Sequence, residues 1–149
     1  MTMRLSTEVL VIGAGPAGTS AAHWAAKSGR MVVLLEKETM PRERVCGDAL
    51  TPKAVGHLAD MGIDVTNENF HQHHGLRMTA HGQSIELQWP TDHDHPSHGL
   101  VIRRHTLDNF LVQHAADAGA QVWTGVDVTE PIIEHGHLRG CRAVGLGHG

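Results

Sequence analysis

Three glycines in one short turn, followed farther on by an acidic residue, are the feature of this sequence most suited to chemistry. Gly13, Gly15 and Gly18 lie in the segment GAGPAG after one apolar stretch, and Glu36 ends the next. The first glycine permits a tight turn, the second lets the backbone approach a diphosphate, and the third lets a helix pack closely on a strand. A carboxylate at the end of the second strand accepts hydrogen bonds from a ribose. The pattern predicts a dinucleotide-binding site; the alternative is a glycine-rich turn with only a packing role.

The elements around these residues are predicted to form a strand, a turn, a helix and a second strand. Residues 8–12 are mostly apolar and β-branched, as expected of a strand buried on both faces. Pro16 suits the first turn of a helix because it needs no N–H there, and Gly29 is placed to end that helix. Residues 31–35 are continuously apolar and predict a second strand, parallel to the first.

A change of pattern follows residue 50. Thr51 as the cap and Pro52 at the first helical position predict a second helix, which Gly62 ends. Apolar and polar residues alternate over 76–80 and again over 85–89, with His-Gly between them. Such alternation on both sides of a turn predicts an antiparallel hairpin.

The last part of the chain predicts one more helix and further strands. Residues 90–99 are polar, contain two prolines and predict a loop. Thr106 is placed to cap a third helix that ends at Gly119. A strand over 121–126 and a weaker hairpin over 132–144 are expected to follow it.

Composition narrows the function classes. With 149 residues, 40% hydrophobic and 19% charged, the chain has the size and polarity of one soluble domain. The net charge is −4 and no basic cluster exceeds the pair Arg103-Arg104, so a nucleic-acid-binding surface is not expected. Cys46 and Cys141 lie far apart, which favours a reducing cytoplasmic environment. No apolar run approaches the ~18 residues that span a bilayer, so any membrane contact is expected to be peripheral.

The 14 histidines suggest a rival function. Those in the segments 71–74 and 93–98 could supply imidazoles to zinc or copper. A metal site needs converging side chains, however, and loop histidines among polar residues are more often solvated. We therefore predict no metal site.

A family resemblance is carried by segments beyond the glycine turn. It rests on the motifs GAGPAG (13–18), LLEK (34–37), RVCGDALTP (44–52) and RHTLD (104–108). Together these motifs resemble the FAD-dependent geranylgeranyl reductase family, within the larger class of flavoprotein hydroxylases and reductases. The likeness runs from about residue 9 to residue 126, and CGD-x-LTP is its most specific piece. GLRM (75–78) and QWP (88–90) look closest to the actinobacterial menaquinone reductases of that family.

The resemblance implies that the cofactor is FAD, a choice that the glycine fingerprint alone leaves open between NAD and FAD. The cofactor-binding residues that it implies are Gly13, Gly15, Pro16, Ala17, Gly18, Glu36, Lys37, Arg44, Cys46, Gly47 and Arg104. Cys46, Gly47 and Asp48 are implied to be catalytic, beside the flavin where it meets an isoprenoid double bond. Ordinary alternatives are a surface cation at Arg104, a small packing residue or helix-entry turn at Cys46, and a loop cap at Asp48.

The function implied by the resemblance is an FAD-dependent oxidoreductase that reduces isoprenoid double bonds in a lipid or quinone tail. Its electrons would come from NAD(P)H or a ferredoxin-type donor, and it would contact the inner membrane face peripherally. Two alternatives stay open. One is a flavin-dependent aromatic hydroxylase or halogenase, and the other is a non-catalytic dinucleotide- or metal-binding module.

The expected fold class is α/β, with a Rossmann-like FAD-binding βαβ unit and part of an inserted antiparallel substrate-domain sheet. Residues 1–62 and 101–127 are predicted to form the nucleotide-binding core, 70–100 the partial insertion and 128–149 the start of a hairpin. The A-D-G segment and second G-D segment of the resembled family do not occur in the sequence. We therefore expect the N-terminal part of a longer flavoprotein, with an incomplete sheet.

Overall fold

The structure, a computed structural model, describes residues 4–91 and 94–145. These residues form two compact units. The first comprises the described residues up to Arg42 and from Asp108 onward, and the second comprises Glu43–Leu107. The sequence-based boundaries place residues 43–62 and 101–107 with the nucleotide-binding core instead, and those boundaries stay a prediction. Residues 146–149 of the predicted hairpin lie outside the described part of the chain.

The helices and strands follow one another along the chain. They are β1 (Val9–Ile12), α1 (Pro16–Lys27), β2 (Val32–Glu36), β3 (Ala49–Leu50), α2 (Pro52–Asp60), β4 (His71–His73), β5 (Gly75–Ala80), β6 (Gln83–Gln88), β7 (Gly99–Val101), α3 (Arg104–Asp117), β8 (Gln121–Thr124), β9 (Val126–Glu134) and β10 (His137–Gly145).

A parallel three-stranded sheet in the order β1-β2-β8 forms the centre of the first unit. Val9 lies opposite Val32, and Val33 lies opposite Gln121. All five residues of β2 are buried, as expected for a central strand covered on both faces. The predicted strand–helix–strand unit and the α/β fold class are confirmed.

Small side chains let the helices of this unit lie close to the sheet. The buried apolar cluster consists of Ala14, Ala22, Ala26, Val32, Leu34, Ala115 and Ala120. Because alanine adds little bulk, the helix backbones approach the strands closely and the larger Leu34 is completely buried.

An antiparallel hairpin of β9 and β10 completes the first unit. Its turn residues His135 and Gly136 have positive φ angles of 52° and 77°. The hairpin was expected over 132–144, and the structure begins it earlier, at Val126. The predicted strand over 121–126 is wrong at its end, because Gly125, with φ of 67°, separates β8 from β9.

The second unit contains two small antiparallel sheets. Strands β5 and β6 form the predicted hairpin, with Leu76 opposite Leu87. The other sheet has the order β3-β7-β4 and was not predicted. The loop expected over 90–99 is wrong at its last residue, because Gly99 begins β7. A side chain at Gly99 would collide with the backbone oxygen of Leu50, at 2.5 Å, so only glycine fits there.

The helix starts show one confirmed and one wrong prediction. At α2, the Thr51 hydroxyl accepts a hydrogen bond from the Ala54 N–H at 3.4 Å, as expected of a cap. At α3, the predicted cap at Thr106 is wrong, since the helix already begins at Arg104.

Within the described residues, no helix is both long and apolar enough to cross a membrane.

Candidate functional site

The glycine turn has the geometry that its spacing predicts. Gly13 adopts a left-handed φ of 94°, which favours glycine, and its N–H donates to the Leu35 oxygen at 2.7 Å. A Cβ added to Gly18 would lie 1.9 Å from the Gly13 oxygen. Such a contact is impossible without moving the backbone, so Gly18 allows α1 to begin directly against the turn.

The amino end of α1 is suited to an anion. Its cap position is Gly15, and no side chain within the described residues caps this helix end. Pro16 occupies the first turn, which contains no acidic residue. The N–H groups and the partial positive charge of a helix start attract phosphate groups. Ala17, which follows Pro16, is exposed beside this end.

Glu36 lies at the glycine turn, as the sequence spacing predicts. Its Oε2 accepts a hydrogen bond from the Ala14 N–H at 2.7 Å, and its Oε1 accepts one from the Glu38 N–H at 3.0 Å. Only 3% of the residue is exposed. Lys37 follows at once and is exposed. The carboxylate and the start of α1 therefore belong to one local site.

Two charged residues beside Glu36 were missed by the sequence analysis. Arg42 Nη2 lies 3.5 Å from Glu36 Oε2, and Arg42 Nη1 lies 3.1 Å from Asp108 Oδ2. The second contact joins two side chains that are almost completely buried. Asp108 is completely buried. Its helical spacing from the buried Leu111 and Ala115 was the available signal.

A cavity of about 520 Å³ lies within the second unit. Its lining residues are Glu43, Arg44, Val45, Cys46, Asp48, Arg103 and Arg104. The structure thus brings together four of the predicted site residues, Arg44, Cys46, Asp48 and Arg104. Gly47, between two of them, is exposed. The other three lining residues, Glu43, Val45 and Arg103, were not among the predicted site residues.

Asp48 links the CGD segment to the start of α3. Its Oδ1 accepts a hydrogen bond from the Arg104 N–H at 2.9 Å, and its backbone oxygen accepts one from the Ile102 N–H at 2.9 Å. Asp48 also has a left-handed φ of 58°, a conformation that aspartate and asparagine tolerate better than most residues. These contacts are those of a loop cap, which is the ordinary alternative for Asp48.

Cys46 has an exposed thiol with altered acidity. The Asp48 backbone N–H and, after it, the Arg104 side chain hold the pKa of the Cys46 thiol below its ordinary value. Donors of this kind stabilise the thiolate, which is the reactive form of cysteine. Cys141 is also a free thiol and lies in β10.

The histidine-rich segments do not assemble a metal site in the described part of the chain. Over residues 4–91 and 94–145, no group of three or more His, Cys, Asp or Glu side chains is arranged to hold a metal ion. The rings of His57 and His95 approach to 6.4 Å between centroids, as do those of His74 and His98. His93 lies outside the described residues.

Comparison with known protein families identifies the cofactor of this domain. Residues 6–138 match the family described as "FAD binding domain". The chain belongs to this family. FAD, the cofactor implied by the motifs, is thereby confirmed for this FAD-binding domain.

Similar proteins include reductases and halogenases. A menaquinone reductase of Mycolicibacterium smegmatis is 38% identical over 150 residues, which cover 93% of this chain and 36% of the relative. The structure of a geranylgeranyl bacteriochlorophyll reductase-like protein from Thermoplasma acidophilum is 30% identical with a TM-score of 0.76 and covers 92% of this chain and 34% of that one. A myxobacterial chondrochloren halogenase is 25% identical with a TM-score of 0.82, covering 94% and 33%. The FAD-binding domain thus spans about a third of the length of these proteins.

The residues of the first unit fit the nucleotide half of FAD. Among the described residues, the amino end of α1 has no side-chain cap, and a Cβ added to Gly13 in the turn before it would meet no atom within 4 Å. The Glu36 carboxylate lies 2.7 Å from the Ala14 nitrogen in the same turn. A diphosphate next to a ribose requires this combination of backbone donors and a nearby acceptor.

Proposed function

We propose that this FAD-binding domain is the nucleotide-binding part of an FAD-dependent oxidoreductase that reduces isoprenoid double bonds in a lipid or quinone tail. The observation that carries the proposal is the 38% identity to a menaquinone reductase over 93% of the chain. That likeness covers the glycine turn and Glu36 in the first unit and most or all of the second, where the CGD segment lies.

In this proposal the first unit holds the nucleotide half of the cofactor. The segment from Gly13 to Gly18 surrounds the diphosphate, to which Gly15, Ala17 and Gly18 donate N–H groups. The N–H groups of Gly13 and Ala14 donate within the first unit, and Pro16 has none. Glu36 accepts hydrogen bonds from the adenosine ribose, and Lys37 adds a positive charge beside it. The buried position of Glu36 at the turn supports this role.

The second unit supplies the groups beside the flavin in this proposal. FAD, when bound and reduced, supplies a hydride to the double bond. Arg44 and Arg104 provide positive charge for the cofactor, and both line the same cavity as Cys46. Of the proposed catalytic residues Cys46, Gly47 and Asp48, Cys46 carries a thiol whose pKa is lowered, which favours its reactive thiolate form. Asp48 holds this segment against the start of α3.

The partners in this proposal follow from the substrate class. The reductant is NAD(P)H or a ferredoxin-type protein, and the enzyme contacts the inner membrane face peripherally because its substrate is a lipid. The second candidate is a flavin-dependent halogenase or aromatic hydroxylase, which the TM-score of 0.82 to the chondrochloren halogenase favours.

The proposal is tested first by cofactor binding. The purified chain, incubated with FAD and freed of excess cofactor, is expected to keep a stoichiometric flavin spectrum. Gly15→Val is expected to lose it, because a branched side chain blocks the approach of the backbone to the diphosphate. Ala21→Val, at an exposed position of the same helix, is the matched control and should keep the flavin. Equal flavin content in both variants would show that the site is misplaced.

The substrate class is tested with the complete product of the gene. The FAD-loaded protein is reduced without oxygen and mixed with menaquinone. We expect the flavin to be reoxidised and the quinone tail to gain one molecule of hydrogen, as detected by mass spectrometry. Reoxidation that occurs only when oxygen is admitted, together with halogenation or hydroxylation of an aromatic acceptor, would favour the second candidate instead.

A further inference from the structure

One buried arginine contacts both the acid of the nucleotide site and an acid of α3. Arg42 Nη2 lies 3.5 Å from Glu36 Oε2, while Arg42 Nη1 lies 3.1 Å from Asp108 Oδ2. At most 8% of any of these three side chains is exposed. All three belong to the first unit, although they come from a strand end, a loop and a helix.

Stability alone is a poor explanation for this cluster. Taking three charged groups out of water is costly, and buried ion pairs are often no more stabilising than apolar side chains of the same size. Arg42 Nε is in addition a buried donor without a hydrogen-bond partner in the described part of the chain. A buried polar group that is left unsatisfied needs an explanation other than packing.

The contacts at Glu36 suggest what the arginine does. Glu36 Oε2 accepts from the Ala14 N–H, and Oε1 accepts from the Glu38 N–H, so these two bonds and the guanidinium together define the plane of the carboxylate. The guanidinium also offsets the negative charge of Glu36 at the turn where a diphosphate is proposed to bind. Without this compensation the carboxylate would repel the phosphate groups.

We infer that Arg42 is a positioning residue, which holds the Glu36 carboxylate in place for the adenosine ribose hydroxyls of FAD and is itself held by Asp108. This inference rests on the proposed nucleotide site and deepens it. Arg42 itself need not contact the cofactor, and its effect on binding is exerted through Glu36.

The inference is tested by binding of ADP, which carries the diphosphate and ribose, and of 2′,3′-dideoxy-ADP, which lacks the hydroxyls. The ratio of their dissociation constants measures recognition of the ribose. Hydrogen bonds to a charged group predict a ratio of roughly tenfold or more for the unaltered chain. Arg42→Met is expected to bring the ratio close to that of Glu36→Gln, and the double variant should show no further loss.

A matched control is available in the same unit. Arg30 Nη1 forms an exposed ion pair with Glu8 Oε1 at 3.0 Å, so this arginine already has an acidic partner of its own. Arg30→Met should therefore leave the ratio unchanged. Circular dichroism spectra and unfolding midpoints establish that each variant is folded before its binding is compared.

Two milder variants keep the test decisive if Arg42→Met does not fold. Arg42→Lys keeps the charge but lacks the planar fork that contacts both acids, and Asp108→Asn keeps the shape but removes the charge behind the arginine. Each is expected to lower the ratio severalfold.

The outcomes distinguish a failure of the inference about Arg42 from a failure of the proposed nucleotide site. Folded variants of Arg42 or Asp108 that weaken both ligands equally, or neither, would overturn the inference, because Arg42 would then have only a structural role. A ratio that is unaffected by Glu36→Gln would instead refute the proposed nucleotide site itself.

Discussion

His23 illustrates how burial changes the chemistry of a single residue. It lies in α1 with 4% of its surface exposed, and its ring stacks on that of His114 with centroids 4.8 Å apart. Burial lowers the pKa of His23; the hydrogen bond to the His114 oxygen opposes this, while the charges of His114 and Lys27 add to it. His23 Nε2 also has no hydrogen-bond partner among the described residues. The neutral ring is therefore the form that the fold accommodates.

We predict a pH-dependent stability that originates at His23. Because its pKa in the folded state is lowered, the unfolded chain binds more protons once the pH falls through about 6.5, and stability decreases there. Above that pH the contribution of the neutral ring is fully present. Denaturant unfolding of His23→Leu should accordingly show a flatter pH dependence between about pH 7.5 and about pH 5.5 than the unaltered chain. His137→Leu, at an exposed position, is the control, and indistinguishable slopes for all three proteins would contradict the prediction.

Among the elements, α3 has a start that its own sequence does not explain. The Arg104 N–H donates to the Asp48 carboxylate at 2.9 Å, so the capping group comes from the CGD segment. The Asp48 backbone oxygen also accepts a hydrogen bond from the Ile102 N–H, and this second bond fixes the loop that carries Cys46. One residue therefore determines both where α3 begins and how the CGD segment lies.

Substitutions at Asp48 separate the cap from the backbone conformation. Asp48→Gly suits the φ of 58° but removes the cap, and it should lower the free energy of unfolding by about 1 kcal/mol. Asp48→Ala loses the cap and is also strained in the left-handed region, so its loss should be about 1 to 2 kcal/mol larger. Asp48→Asn keeps an acceptor and tolerates this φ, and it should stay close to the unaltered chain. If glycine and asparagine give the same stability in urea unfolding, the cap contributes nothing.

On the scale of the whole molecule, the β5–β6 hairpin presents an exposed apolar face. Leu76 pairs with Leu87, and Met78 pairs with Ile85, so these four side chains lie on one face of the two strands. Each is between 44% and 63% exposed. In the described part of the chain, β5 and β6 pair only with each other. A contiguous apolar patch of this kind is typical of a contact surface.

We expect this face to make the chain associate with itself. Sedimentation velocity should show a weight-average mass that rises with concentration. The double substitution Met78→Lys with Ile85→Lys should remove most of this rise, because charge on the face is costly to bury. Thr79→Lys with Ser84→Lys, a pair on the opposite face, is the matched control. A chain that stays monomeric at every concentration would show that the patch does not drive association.

Local sequence patterns were sufficient to predict much of the geometry of the candidate site. The glycine spacing, the apolar strands beside it and the position of Glu36 all depend on interactions within one short strand–helix–strand segment. The hairpin of β5 and β6 was likewise predictable, because its strands adjoin in sequence and their alternation is regular. FAD as the cofactor followed from motifs that are themselves short. In each case the residues that determine the structure lie close together along the chain.

Only the tertiary structure revealed the features that join distant segments. Asp48 and Arg104 are 56 positions apart, and the small sheet depends on β7 pairing with both β3 and β4. Neither Arg42 nor Asp108 was among the site residues predicted from the sequence. Their burial beside Glu36 depends on how a strand end, a loop and a helix pack. The sequence around a carboxylate or guanidinium does not show whether the group is solvated or buried in an ion pair. The sequence therefore determined which charged groups are present, and the packing decided which of them meet.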